Sequence, residues 1–599
     1  MREDKVSTAN GYHQQYLEVN VSTGTATQHE LDTAVLQQSI GGSGLGTHLL
    51  LEHESWKHDP LASEASIVFA FSPLVGSPLT TSAKFAVVSR SPLTGRINDS
   101  LASSTFAIAG KRTGNDALLI KGRAVSPSIL VIEENHISLK PADHLWGLPA
   151  EDAELQLREE FGNNFSFAVI GPAGEELVRY ATISHSGRHA GRGGSGAVLG
   201  SKNIKAIAVR GNKRAAWHDT AGLIEQARDL SQRSFGPATE KYRELGTAAN
   251  VLVFNRLNCL PTRNFQKGSF EKAEELSPEA MNIAREKIRE SCAACTIGCT
   301  HVYSIPVDGQ PSRTRIEYEN LFALGPLCEV SDQQTVLQAS QLCDHYGLDT
   351  ISTGGTIAFA MECVERGFLN ESWLTFGSGD ALLQAIHMIG RGEGIGVRLA
   401  LGSRALALEL GKNTIAFAPQ VKGLELPGYE PRALQTMALG FAVGTRGADH
   451  NRSGAYEVDF SEEVDRRNAK VHQARLAVET EDKAAMMDSL ILCKFLRGVF
   501  DDYFSECATM LNLITGWGLK ANDLIAIAKA IIDSKKRFNI LCGWSPEEDT
   551  LPERMLTSAL EDDRDAKLNR ETLEALVKAY NLERGWNEAG FLPGTSAGP

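Results

Sequence analysis

Cys292-Ala-Ala-Cys295-Thr-Ile-Gly-Cys299 places three thiols within one short loop, with small neighbours that let the backbone fold around an inorganic centre. A fourth ligand has to come from elsewhere in the chain. Four-iron iron–sulfur clusters take four Cys thiolates, typically several from one compact loop and one distant. Zinc also accepts four thiolates, but usually as two C-x-x-C pairs, and no second pair exists here. Three buried thiols without a metal are the third reading, and spacing alone does not choose among them.

The chain changes character on the two sides of this loop. Up to about Arg210, short β-branched and aromatic runs recur between turn residues: Tyr16 to Val21, Ile67 to Ser72, Phe85 to Ser89, Ala117 to Lys121, Ile129 to Glu133, Phe167 to Ile170, Val178 to Ile183 and Ile204 to Val209. After Trp217 the period becomes helical, over Ser277 to Arg289, Ser331 to Tyr346, Thr356 to Arg366, Ala381 to Ile389, Val397 to Leu410, Glu479 to Arg497, Tyr503 to Leu511 and Asn522 to Arg537. Ser331 with Gln334 has the pattern of a capping box, and Gly347, Gly367 and Gly411 stand where helices stop. A loop-like segment, Val421 to Pro431, divides the helical part. The expectation is an α+β protein with a β-rich domain over residues 1–212 and two mainly helical domains, 213–420 and 421–599.

At 599 residues, with 42% hydrophobic and 22% charged residues, the chain exceeds what one core serves. Ten cysteines are too few for a disulfide scaffold. No window approaches the roughly 18 apolar residues that span a bilayer, and Met1 to Tyr12 lacks the apolar core of a secretory signal, so a cytoplasmic protein without membrane insertion is expected. A net charge of −14 argues against nucleic-acid binding, which needs a clustered basic surface. Gly41-Gly-Ser-Gly-Leu-Gly46 lacks the preceding strand and following acid of a dinucleotide fold and reads as a helix-start turn.

Around the cysteine loop the sequence resembles the aldehyde ferredoxin oxidoreductase family, and further blocks agree in order: Ser91-Pro-Leu-Thr-Gly95, Ile170-Gly-Pro-Ala-Gly174, Gly191-Arg-Gly-Gly194, Gly200-Ser-Lys-Asn203, Asp344-His-Tyr-Gly-Leu-Asp349 and Leu426-Pro-Gly-Tyr429. The resemblance runs from about Tyr16 to Trp586. It implies a β-rich domain cradling a bis-pyranopterin that carries tungsten or molybdenum, helical domains closing over it, and one [4Fe–4S] cluster. The family's fourth cluster ligand closes an Asp-x-x-Gly-Leu-Cys motif, which matches Asp488-Ser-Leu-Ile-Leu-Cys493, so Cys493 is expected to join Cys292, Cys295 and Cys299. By the same resemblance Asp344 and Asp488 grip the two pterins, with Leu348, Asp349, Leu492 and Lys494 beside them. A pterin edge offers an amino group next to a ring N–H, a donor pair that a carboxylate accepts with two parallel bonds. Read without the family, Asp344 would be a solvated helix-end residue. Ile491 stands where the family has glycine, and a β-branched residue suits a left-handed turn poorly, so this loop is expected to run differently.

Gly191-Arg192-Gly193-Gly194 follows Arg188 and offers backbone N–H groups and two guanidinium groups to an anion. In the family this region holds the pterin phosphates and a bridging Mg²⁺, bound through carbonyls, so His189 and Leu101 can occupy the matching positions. Lys84 and Arg452 match an arginine and a lysine of the family near the cofactor. Glu319, in Glu317-Tyr-Glu319, and His450, in Arg446-Gly-Ala-Asp-His450, match its proton-handling pair. Their bland readings are an ordinary ion pair and a satisfied core histidine.

The implied activity interconverts small aldehydes and carboxylic acids and passes electrons to ferredoxin or an electron-transfer subunit. Lys494 and Arg497 are expected in a basic docking patch for that carrier. The interface iron of some relatives has no ligands here, since Gln338 and Gln341 replace its Glu-x-x-His, and a homodimer held by packing alone stays compatible. The competing readings are the catalytic subunit of an aryl-CoA reductase-like complex and a cluster-only electron carrier.

Overall fold

The structure, a computed structural model, describes residues 10–134, 136–307 and 310–594. Two six-stranded sheets make up the first third. Strands β1 (Gln15–Asn20), β2 (Thr25–Glu30), β3 (Ile67–Ala70), β4 (Lys84–Arg90), β5 (Ile97–Ser103) and β6 (Ala117–Lys121) pair in the order β2-β1-β6-β3-β4-β5. Strands β7 (Ser128–Glu133), β8 (His136–Pro141), β9 (Ser166–Ile170), β10 (Ile183–His185), β11 (Arg188–Ala190) and β12 (Ile204–Arg210) pair as β11-β10-β9-β12-β7-β8.

The period-2 alternation of strands explains how these sheets stack. Phe69, Phe85, Val87 and Leu118 point toward Leu130, Ile132, Ile207 and Val209 of the second sheet and share one core with them. Val68, Ala86, Val88 and Leu119 point the other way, onto Leu45 and Leu49 of the helix Gly42–Glu52. Burying each large side chain this way contributes about 1.5–3 kcal/mol. The facing edges are tied by side chains of the first sheet: Ser100 Oγ donates to Arg192 O at 2.7 Å, and Asn98 Nδ2 donates to Ser195 Oγ at 3.0 Å.

The rest is mainly helical, so the α+β architecture stands, with several boundaries moved. The segment expected as one helix from Ser277 to Arg289 is a helix only over Pro278–Ala284; Lys287–Glu290 leaves to become the edge strand of a three-stranded sheet beside Thr300–Val307, where ladder pairing outweighs helix propensity. Val397 to Leu410 breaks into Gly396–Leu399 and Ser403–Leu410 at Gly402. Only Ile183 of the Val178 to Ile183 run is strand. The helix Gln333–Tyr346 is capped by Asp332, whose carboxylate accepts from the Thr335 N–H, and not by Ser331. Gly41 and Gly42 do open a helix.

The helix expected over Glu479 to Arg497 spans Gln473–Leu490 and stops because Ile491 adopts the left-handed conformation, φ 63° and ψ 38°. Gly347 ends Gln333–Tyr346 in the same conformation, φ 75° and ψ 51°. The expectation that isoleucine would redirect the loop is thus overturned. Both helices end in one turn type, closed by Leu348 N–H donating to Cys343 O at 2.8 Å and Leu492 N–H to Met487 O at 2.9 Å. A left-handed non-glycine residue costs about 1–2 kcal/mol, which the burial of the Ile491 side chain offsets.

The second turn is held from below by Gly42, φ +44°, where an added Cβ would lie 2.4 Å from Asp488 O and 2.8 Å from Ile491 Cγ1. Gly42→Ala is expected to cost about 1–3 kcal/mol and to lower the melting temperature. An unchanged melting temperature would contradict this close approach.

Candidate active site

The two turns converge on one cavity of about 850 Å³. Lys84 from the start of β4, Leu101 from β5, Arg188 and His189 from β11, and Gly191 and Arg192 from the loop after it form one wall. Asp344, Leu348 and Asp349 come from the first turn, and Asp488, Leu492, Cys493 and Lys494 from the second. Glu319, His450, Arg452, Cys292 and Cys299 complete the set, so every expected site residue except Gly193 and Cys295 lines this space. Gly193 packs beneath it, with its carbonyl accepting from Ser91 Oγ at 2.8 Å.

Thr80 and Thr81 bring the two cysteine stretches together. Thr81 N–H donates to Ala294 O at 2.6 Å while its Oγ1 accepts from Cys493 N–H at 3.3 Å. Thr80 Oγ1 accepts from Thr296 N–H at 3.0 Å. Burial pushes the Cys295 thiol up to about 11, with further upward pressure from Cys493 and Cys292. Cys299 is raised by burial first, then by Glu317, Cys493 and Cys292. Such thiols bind as thiolates only to a centre whose own positive charge offsets the burial. Among the described residues no three His, Cys, Asp or Glu side chains close around the position of a single ion; sulfurs gathered on one zinc would lie ~3.8 Å apart. The buried ammonium of Lys84 is lowered by desolvation, but Cys493, Cys292, Cys295 and Asp488 outweigh this and raise it. It lines the cavity together with Cys292, Cys493 and Asp488.

A buried charge network surrounds Asp488. Arg452 donates from Nη1 to Asp488 Oδ2 at 3.1 Å and from Nε to Asp99 Oδ1 at 3.0 Å. Asp99 also takes Lys535 Nζ at 2.8 Å, and its carbonyl accepts from Arg446 Nη1 at 2.6 Å. Lys494 Nζ lies 2.9 Å from Asp488 Oδ1, and burial lowers its pKa to about 8. Arg497 pairs with Tyr456 and Glu457. Lys494 and Arg497 therefore face inward, and the expected docking patch is corrected: the helix ends before Cys493, so the residues after it turn into the cavity.

Other basic residues are committed as well. Arg192 donates to Ala448 O at 2.7 Å and to Glu425 O, and it faces Asp349 at 3.4 Å, clamping the sheet loop to the helical part. Asp349 is also the cap of the helix Thr350–Glu365. Arg188 donates to Thr300 Oγ1 beside the cysteine loop, and His189 Nε2 lies 3.2 Å from Asp344 Oδ1. Arg446, by contrast, lines the cavity with Nε and Nη2 unpartnered although wholly buried. Leaving such donors unsatisfied costs about 1–3 kcal/mol or more, so the site suits an anionic or carbonyl-bearing planar group there. The sequence reading quoted Arg446 only as a flank of His450.

Glu319 and His450 meet at the cavity wall, with Oε1 and Nδ1 3.6 Å apart and neither atom hydrogen-bonded within the protein. Burial raises the Glu319 carboxyl to about 8, against the Gly428 N–H that donates to Oε2 at 3.0 Å. Burial lowers His450 to about 3, against the upward pull of Asp449. Asp449 caps the short helix His450–Ser453. Asn451 Nδ2 lies 2.9 Å from His450 Nε2; with that N–H donating, Nε2 accepts and Nδ1 carries the proton toward Glu319.

Comparison with known proteins gives the family. Residues 16–211 match the N-terminal domain of aldehyde ferredoxin oxidoreductase, and residues 224–596 match its domains 2 and 3. The chain belongs to the aldehyde ferredoxin oxidoreductase family. It is 34% identical over 596 residues to the tungsten-containing aldehyde ferredoxin oxidoreductase of Pyrococcus furiosus, covering 96% of this chain and 97% of that protein. It is 28% identical to the aliphatic sulfonate oxidoreductase, WOR-like subunit, of the same organism, covering 97% of this chain and 95% of the relative. The active-site complex BamBC of benzoyl coenzyme A reductase with 1,5-dienoyl-CoA shares the fold, with a TM-score of 0.82, 21% identity, and coverage of 97% of this chain and 96% of that chain. An oxidoreductase of this tungsten-containing family implies a tungstopterin cofactor. Among the described residues no helix is long and apolar enough to cross a membrane.

Asn451 is a residue that the sequence reading missed. Replacing it by leucine removes the donor at similar size and should lower turnover about 10–100-fold, the usual cost of losing an orienting partner. Unchanged kcat with a dye acceptor would remove Asn451 from the site's machinery.

Proposed function

We propose that this protein oxidises aldehydes to carboxylic acids at a tungsten or molybdenum bis-pyranopterin. In this reading electrons pass through one [4Fe–4S] cluster on Cys292, Cys295, Cys299 and Cys493 to ferredoxin or a partner subunit, in the cytoplasm. The observation that carries the reading is the Glu319–His450 pair, 3.6 Å apart at the wall of the cavity, where burial favours the protonated carboxyl and the neutral imidazole.

Converting an aldehyde and water into an acid releases two protons and two electrons. The bound metal would supply the two-electron redox step and the oxygen chemistry. Asp344 and Asp488, on matched helix ends, would each accept from one pterin edge, while Arg446 would meet its free N–H groups. Carbonyls near Leu101 and His189 would hold Mg²⁺ against the phosphates, and Arg188 would face them. At neutral pH Glu319 keeps its proton, so it is the hydrogen-bond donor to the aldehyde oxygen. His450 stays neutral and acts through its Nδ1–H, orienting water or carbonyl. The shared fold of the benzoyl coenzyme A reductase complex does not select the substrate.

Two measurements test this. Purified protein should reduce a dye with aldehydes as electron donors and not with a cyclic dienoyl-CoA, the electron-rich side of the aryl-CoA couple; the opposite result would select the reductase reading. Because the Glu319 carboxyl is raised to about 8, it is protonated below that pH and loses its proton above, so turnover should fall through pH 8. Glu319→Gln should remove this limb together with about 10²–10⁴ in kcat. A limb that persists in the variant would assign it to another group.

A further inference from the structure

Beyond Glu319 and His450, the cavity changes from charged to aromatic. Tyr429 stacks on His450 with ring centres 4.8 Å apart and planes at 25°. Phe254, on the helix Asn250–Arg256, packs edge-on against Tyr429 at 5.2 Å, and Phe460 stacks on Phe254 at 5.3 Å. These rings form one ladder from the proton-handling pair to the surface. Burial falls along it: Phe254 and Tyr429 are each 4% exposed, Phe460 39%, and Val253, beside it at the mouth, 49%. All four line the cavity.

Lining residues from positions 241–254 and 456–460 include one formal charge, Lys241, an exposed side chain lying over the Tyr242 ring at 4.9 Å. An exposed cation gives weak, screened attraction. Of the guanidinium and ammonium groups inside the cavity, Arg497 reaches this half, where it is committed to Tyr456 and Glu457; the groups around Asp99, Asp488 and the cysteines belong to the opposite wall. A phosphate or sulfonate on the substituent would therefore lose its water in the aromatic half without gaining an uncommitted buried partner. A flat apolar ring gains burial and offset or edge contacts with Tyr429 and Phe254, and it covers the apolar rim that Val253 and Phe460 otherwise leave open to water.

Resting on the aldehyde reading above, we propose that this half of the cavity selects uncharged aldehydes carrying an aryl or arylalkyl group, with Phe254 and Phe460 as the specificity-determining residues and Val253 at the gate. The ring lies along the ladder and the carbonyl reaches Glu319.

The test compares kcat/KM of the holoenzyme for benzaldehyde, acetaldehyde and glyceraldehyde 3-phosphate. Isothermal titration with benzoate and acetate reads the same pocket without turnover. Benzaldehyde should exceed acetaldehyde at least about 10-fold, the phosphorylated aldehyde should fall furthest behind, and benzoate should bind more tightly than acetate. Phe254→Ala should cut the preference and the benzoate affinity about 10-fold. Val253→Asp, at a half-exposed position where folding is undisturbed, should do so by charge at the mouth. Equal efficiencies for benzaldehyde and acetaldehyde, or a preference unmoved in both variants, would overturn the proposal. If no aldehyde turns over, the aldehyde reading fails, and the titration still decides the pocket: benzoate bound no more tightly than acetate overturns the aromatic selectivity.

Discussion

Buried charge must be paired, and the structure is organised around that requirement at Asp99. Its carboxylate sits at the sheet edge in β5 and takes Arg452 and Lys535, while its carbonyl takes Arg446. Arg446 and Arg452 flank His450, and Lys535 lies on the long helix Ala521–Leu541, so one carboxylate ties the β-rich third to two separated helical stretches. These cations hold the Asp99 carboxyl well below the usual range, against the desolvation that would raise it. Breaking a buried pair costs about 3–5 kcal/mol because it strands the remaining charge. Through Arg452 the same network fixes Asp488, and through the turn at Ile491 it fixes Cys493 and Lys494.

The cavity that results has two chemistries set by its neighbours. On the sheet side, ion pairs and backbone dipoles prevail, and Lys84 lines the cavity there. On the helical side, aromatic rings exclude water. Glu319 and His450 lie on the border, and burial moves them in opposite directions, one carboxyl upward and one imidazole downward. Both groups are consequently neutral near pH 7, a state suited to passing single protons without creating charge in an apolar space.

Local spacing made much of this legible. Three thiols in one loop pointed to a metal as one of three readings, and the family resemblance pointed Asp344 and Asp488 at one cofactor, although Ile491 argued against two equivalent turns. The β-rich first third followed from runs such as Phe85 to Ser89, but its division into two stacked sheets did not. What stayed hidden depended on three-dimensional context. Lys494 and Arg497 look like surface charges in sequence, yet the left-handed Ile491 turns them inward. Arg446, Asn451 and the Thr80–Thr81 pair carry no motif of their own; Arg446 and the threonines act on partners hundreds of residues away, and Asn451 acts on its neighbour His450 only because the fold sets both side chains. The Ser277 to Arg289 stretch shows the same limit, because strand pairing with Thr300–Val307 outweighed a helical pattern.

The central claim is that two remote cysteine stretches and two matched helix ends assemble one redox centre beside Glu319 and His450. Anomalous diffraction from crystals grown without air, at the iron edge and at the tungsten or molybdenum edge, tests it most directly. The account predicts iron density enclosed by Cys292, Cys295, Cys299 and Cys493, and a separate heavy-atom peak between Asp344 and Asp488 facing Glu319. Iron density elsewhere, or a heavy-atom peak outside this cavity, would contradict it.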